Sequence, residues 1–168
     1  MVDEDRVLAG PAPIRVLLVE DHRLVREGIK LLLDRESDLA VAGEAADGEA
    51  GLRHLARLAA EDAVDVVVSD IGLPGIDGLE VVRRAKALAP GLPVVLLTMH
   101  DEDAYLRGMA EAGADGAADG PGQALGVLGR FHRGRIARRG EAAVARSEAL
   151  LAGRAREWTP WRQPPRAP

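Results

Sequence analysis

Four short apolar runs recur along the first hundred residues, and a stretch with helical spacing follows each one. The runs are IRVLLVED (residues 14–21), DLAVAGEA (38–45), VDVVVSD (64–70) and LPVVLLTMH (92–100). Short runs rich in branched residues, bounded by polar groups, read as strands buried on both faces. After the first run, Leu24, Val25, Ile29, Leu32 and Leu33 fall at helical spacing and define one apolar stripe. After the second, Asp47 caps a helix whose stripe is Leu52, Leu55, Ala56 and Ala59. Asp77 opens a third helix with Leu79, Val81, Val82 and Ala85, which Pro90-Gly91 ends. DEDAYLRGMAEAGA makes a fourth, stopped by Gly113. Strands alternating with helices of this length build βαβ units, so the expected class is α/β with a doubly wound parallel sheet.

That architecture dictates where chemistry can sit. Ligands of an open parallel sheet bind beyond the carboxyl ends of its strands, where strand order reverses. Glu20 and Asp21 close the first run, Asp70 the third, and Thr98 lies at the end of the fourth, so all four belong to one rim. Alone, Asp70 would read as a turn residue and Asp21 as a helix cap; the convergence of acids at one edge makes the site reading the stronger one. Carboxylates held together repel unless a cation neutralises them or one stays protonated. Oxygen ligands of this kind suit Mg²⁺, and a carboxylate beside that ion can accept a phosphoryl group as a nucleophile. Gly72 suits a backbone carbonyl turned toward the metal. Asp77-Gly78 reads as a turn and cap without chemistry. His22, His54, His100 and His132 are scattered and suggest no metal site.

Composition narrows the class further. The chain has 168 residues, room for one domain and a tail, with 47% apolar residues but only 2% aromatics. Its core must therefore be Val, Leu, Ile and Ala. There is no cysteine, which excludes disulfides and thiolate metal sites. No apolar run approaches the ~20 residues of a membrane span. The opening MVDEDRVLAG lacks a signal core, so a cytoplasmic location and no membrane partner are expected.

VLLVEDHRLVREGIKLLL, VVVSDIGLPGIDGLEVVRRAK and LPVVLLTMHDEDAYLRGMAEAGADG together resemble the receiver domain of two-component response regulators, over residues 14–116. The likeness is greatest to the NarL/FixJ-type subgroup, whose members usually carry a LuxR-like helix-turn-helix output. The resemblance implies a flavodoxin-like, CheY-like sheet of order 2-1-3-4-5. It implies that Asp70 is the phospho-acceptor for a sensor histidine kinase and that Thr98 is the switch hydroxyl. It also implies that Glu20, Asp21, Asp70 and Gly72 hold Mg²⁺, and that the parent family regulates transcription, with a homodimer among its arrangements. Two departures matter. The family Lys, usually 22 residues after the switch Thr, falls on Gly120, and the aromatic three residues earlier falls on Ala117. Arg107, Arg130 and Tyr105 stand at no position that would replace them. An alternative reading is therefore a pseudo-receiver that docks a partner without switching. A metal-dependent phosphatase needs an acid two residues after its nucleophile; here that position is Gly72, so no enzyme is expected.

The chain divides into an extension (1–13), a receiver (14–122) and an Arg-rich tail (123–168). GADGAADGPG around residues 113–122 is poor in branched residues, so the fifth strand is expected to be ragged or missing. The tail has ten Arg against three Glu, a balance of +7, which leaves −12 on residues 1–122 from the total of −5. It is expected to be largely disordered, with one helix over 141–152, and Trp158 and Trp161 carry no further weight. Without a helix-turn-helix, DNA binding by this chain is not expected. The abrupt end of the resemblance reads as an out-of-frame remnant, which translating the other two frames of the coding DNA would test.

Overall fold

Alternation along each strand sends side chains to two separate cores. Leu17, Val19, Val67, Val94 and Leu96 face one side of the sheet; Val16, Leu18, Val66, Val68, Val95 and Leu97 face the other. The structure, a computed structural model, describes residues 12–98 and 103–140. In chain order the elements are β1 (Ile14–Val19), α1 (Arg23–Leu33), β2 (Leu39–Ala45), α2 (Gly48–Ala60) and β3 (Val66–Asp70). They continue with α3 (Gly78–Leu88), β4 (Val94–Thr98), α4 (Asp103–Ala112), β5 (Gly116–Asp119) and α5 (Gly120–Gly140). All pairings are parallel, in the order β2-β1-β3-β4-β5. The first core is covered by α2, α3 and α4 through Leu52, Leu55, Val81, Val82 and Met109; the second by α1 and α5 through Ile29, Leu33, Ala124, Val127 and Leu128.

The caps behave as the residue types require. Asp47 accepts the Ala50 N–H at 2.7 Å and Asp77 accepts that of Glu80 at 2.8 Å, which satisfies donors that an α-helix start leaves open. Gly113 ends α4 at φ +90°, a left-handed conformation that a Cβ disfavours.

Three expectations are corrected. The fifth strand is formed, four residues long and fully paired with β4. Its small residues are what the site demands. Ala118 is 1% exposed, and a Cβ at Gly116 would come within 3.1 Å of Val127. The strand is also anchored from outside itself: Asp115 donates its N–H to the Val94 carbonyl at 2.8 Å and accepts the Val94 N–H on Oδ2 at 2.9 Å. The ammonium of Lys86 on α3 binds the same oxygen and the Leu92 carbonyl. Second, the boundary drawn at residue 122 falls inside α5, and residues 123–140, expected as unstructured tail, continue that helix. The expected helix over 141–152 lies outside the described residues. Third, only part of the stripe on α1 is core. Ile29 and Leu33 are buried, whereas Leu24 is 87% exposed and Val25 41%.

Candidate functional site

Three strands end within reach of one another because β1, β3 and β4 lie side by side at the centre of the sheet. Glu20 follows β1 and is almost wholly buried; Asp70 ends β3 half-buried; Thr98 ends β4 at 6% exposure. Register places Asp70 opposite Leu97, and Val19 opposite Ser69, so the carboxyl ends are level. The loop after β3 is pinned by α3. Gly78 donates its N–H to the Ile71 carbonyl at 2.9 Å, and a Cβ on Gly78 would overlap the Asp70 carbonyl oxygen. Asp77-Gly78 thus has more than a capping role: only glycine lets the helix start close enough to hold Asp70 in place.

Glu20, Asp21 and His22 present ligand atoms that all lie within 4.8 Å of one another. The His22 N–H donates to Glu20 Oε1 at 2.9 Å, and His22 Nδ1 stands 3.2 Å from that oxygen and 3.1 Å from Asp21 Oδ1. That approach to Asp21 does not complete a hydrogen bond, and Asp21 Oδ1 is a buried oxygen with no hydrogen-bond donor. A buried carboxylate oxygen in that condition fits a cation. The donor set, mostly carboxylate oxygen with a level rim open to solvent, suits a hard ion such as Mg²⁺. Asp70 stands outside this tight group, though its charge is felt there.

Electrostatics describe the same strain. Burial lifts the Glu20 carboxyl above its ordinary value, and the charges of Asp70 and Asp21 add to that, while the His22 N–H opposes it. Burial likewise lifts Asp70; the backbone N–H groups of Ile71 and Gly72 pull it down and Asp21 pushes it up. His22 is raised, chiefly by its bond to Glu20. Each shift has the sign of a site holding more negative charge than it can solvate.

Sequence reading brought Glu20, Asp21, Asp70 and Thr98 to one edge, and the structure places them there. Gly72 lies against Asp70: a Cβ at that position would be 3.4 Å from Asp70 Oδ2. Sequence reading set His22 aside, and it belongs to the acid group; its place directly after two acids at a strand end was the available signal. Arg26 was also missed. From the first turns of α1 its guanidinium donates to the Glu20 carbonyl at 2.6 Å, which ties the helix to the rim. His100 lies outside the described residues, as does the side chain of Tyr105.

A five-stranded parallel sheet of this order, with carboxylates gathered at its switch point, is the architecture of a CheY-like receiver domain. The family model for the response regulator receiver domain matches residues 16–121, and the chain belongs to that family. It is 39% identical over 103 residues to the response regulator UvrY of Escherichia coli K12, a match covering 61% of this chain and 45% of UvrY. It is 37% identical over 101 residues to the transcriptional regulatory protein LiaR of Bacillus subtilis, covering 60% of this chain and 46% of LiaR. The chain thus spans less than half the length of these curated relatives. A crystal structure of a two-component response regulator of the LuxR family from Aurantimonas sp. SI85-9A1 superposes with a TM-score of 0.63 at 32% identity, covering 73% of this chain and 87% of that one.

Proposed function

We propose that this receiver accepts a phosphoryl group on Asp70 from a sensor histidine kinase in the cytoplasm, with Mg²⁺ at the rim. One observation carries the reading: Asp21 Oδ1, buried and without a donor, beside Glu20 and within the field of Asp70. In the reaction an Asp70 oxygen attacks the phosphorus of a phosphohistidine. The P–O bond forms as the P–N bond breaks, its electron pair staying on nitrogen; the ring, already protonated on its other nitrogen, leaves as neutral imidazole, and an acyl phosphate remains on the protein. The metal would be held by Glu20, Asp21, Asp70 and the Gly72 carbonyl, and would supply neutralisation of the phosphoryl oxygens. Thr98 lines the same space as Asp70, where its hydroxyl can meet the new oxygens. Turnover as a phosphatase is not proposed, because Gly72 occupies the position where a second acid would be needed.

A second reading rests on Gly120. Its φ is +75° and nothing lies within 4 Å of where its Cβ would be, so no ammonium reaches the phosphoryl group from that position. Phosphorylation would then load the site without moving the face that partners read. Among the described residues no helix is long and apolar enough to cross a membrane. Acetyl phosphate labelling with and without Mg²⁺, on wild type and Asp70→Asn, tests the first reading. Label in the wild type alone and only with metal is expected; metal-independent label, or label in Asp70→Asn, refutes it. Gly120→Lys separates the two readings: if wild type is labelled yet its amide spectrum changes only near Asp70, and Gly120→Lys spreads the change to β5, the receiver loads without switching.

A further inference from the structure

Between α1, the end of β4 and the start of α5 lies a cavity of about 470 Å³, within the range of about 300–1,000 Å³ that small-molecule sites occupy. Its walls are apolar: Val25 and Leu32 from α1, Leu97 from β4 and Pro121 from α5. Two glycines widen it. Gly28 faces the space from α1 and Gly120 from the first position of α5, and a Cβ on either would meet nothing within 4 Å. One end only is polar, where Glu20, Asp70, Thr98 and His22 converge. Among the described residues His22 is the one imidazole there, and even protonated it faces the carboxylates of Glu20, Asp21 and Asp70 and is already paired with two of them.

An apolar chamber closed by acids selects its ligand by charge and shape together. An anion is repelled at the polar end. A neutral hydrocarbon leaves the negative charge of Glu20 and Asp70 uncompensated, since their contacts are N–H groups and the already shared His22. We propose that this cavity is a binding site for a compact primary ammonium on an apolar body, an arylalkyl- or alkylammonium ion, whose head meets Glu20, Asp70 and Thr98 while its body lies against Val25, Leu32, Leu97 and Pro121. The argument depends on the cavity and its charges and not on phosphoryl transfer.

The test uses benzylammonium, benzyl alcohol and phenylacetate, which share one ring and differ in head charge, against the full chain in EDTA. Amide shifts in a ¹⁵N–¹H spectrum report both place and affinity. Benzylammonium is expected to shift Gly28, Leu32, Leu97 and Gly120, and to bind at least about tenfold more tightly than the alcohol, with phenylacetate weakest. Gly28→Leu fills the chamber from the helix side, its Cβ entering open space, and Val25→Trp fills it from a position that is already 41% exposed. Each folded variant is expected to weaken benzylammonium at least about tenfold. Equal affinity for the three probes, shifts confined to other residues, or unchanged binding in either folded variant overturns the proposal. Neither metal nor phosphate donor enters this measurement, so its failure is distinct from a failure to label Asp70.

Discussion

Asp115 and Lys86 should be worth more to β5 than any residue within the strand. Asp115 Oδ2 accepts both the Val94 N–H, at 2.9 Å, and the Lys86 ammonium, which also donates to the Leu92 carbonyl at 2.7 Å. The two side chains are 26% and 15% exposed, so solvent screens the pair only in part. Asp115→Ala removes a charge-assisted bond and leaves the N–H of a buried valine unpaired; at about 1–3 kcal/mol for each loss, a total of about 2–6 kcal/mol is expected. Lys86→Met keeps the stem and removes the ammonium, at about 1–2 kcal/mol, and the double variant should show a coupling of about 1 kcal/mol. Urea unfolding of the four proteins gives the cycle. Native-state hydrogen exchange gives the location: amides of residues 116–119 should lose protection by a further factor of about ten beyond any global change seen in β1 and β3. A coupling below about 0.3 kcal/mol, or β5 amides that follow the global change alone, would refute the clamp as the reason a Gly/Ala segment is a strand.

Other outcomes follow from the site and the cores. Glu20 and Asp70 are raised by burial and bind more protons folded than unfolded. Metal-free stability should therefore fall as pH rises from their ordinary values, 4.5 and 3.8, through their raised ones, and the raised His22 adds the same sign above 6.5. Asp70→Asn in EDTA should raise Tm by roughly 3–5 °C at pH 7 and abolish most of the further rise that Mg²⁺ gives wild type. A lowered Tm in scanning calorimetry would contradict the repulsion described at the rim. Gly78→Ala forces a Cβ onto the Asp70 carbonyl and to 2.7 Å from the Ile71 Cα. It should cost about 1–3 kcal/mol by overpacking and weaken Mg²⁺ binding, both readable by titration calorimetry and denaturation. On α1, Ile29→Ala should cost about 2–4 kcal/mol, whereas Leu31→Ser, at a residue 65% exposed, should stay within about 0.5 kcal/mol in the same denaturation assay.

Much of the fold was legible because its signals are local. Three valines before Asp70 and the runs at residues 14–21 and 92–100 carry their strand character in their own composition. The caps at Asp47 and Asp77 sit where side-chain oxygens are needed. The rim was legible by one further step, since in a parallel sheet every strand ends at the same edge, and so Glu20, Asp21, Asp70 and Thr98 had to share it. His22 escaped because its one signal, a place directly after two acids at a strand end, says nothing of distance until the fold is known. It matters through the distance to Glu20 and Asp21, which needs the backbone turn after β1 to be known.

The amino-acid sequence by itself determined which segments alternate as strand and helix and which acids meet at the carboxyl edge, because periodicity and chain order are properties of neighbours along the chain. Tertiary structure alone decided that GAAD is a strand, that α5 runs on past residue 122 to bury Val127 and Leu128, and that Leu24 and Val25 stay outside the core. Each of these depends on a partner distant in sequence: Lys86 holding Asp115, β4 pairing with β5 along its edge, and the second core taking only Ile29 and Leu33 from α1. The cavity beside Asp70 is of the same kind, for a space is made by the residues around it and belongs to none of them.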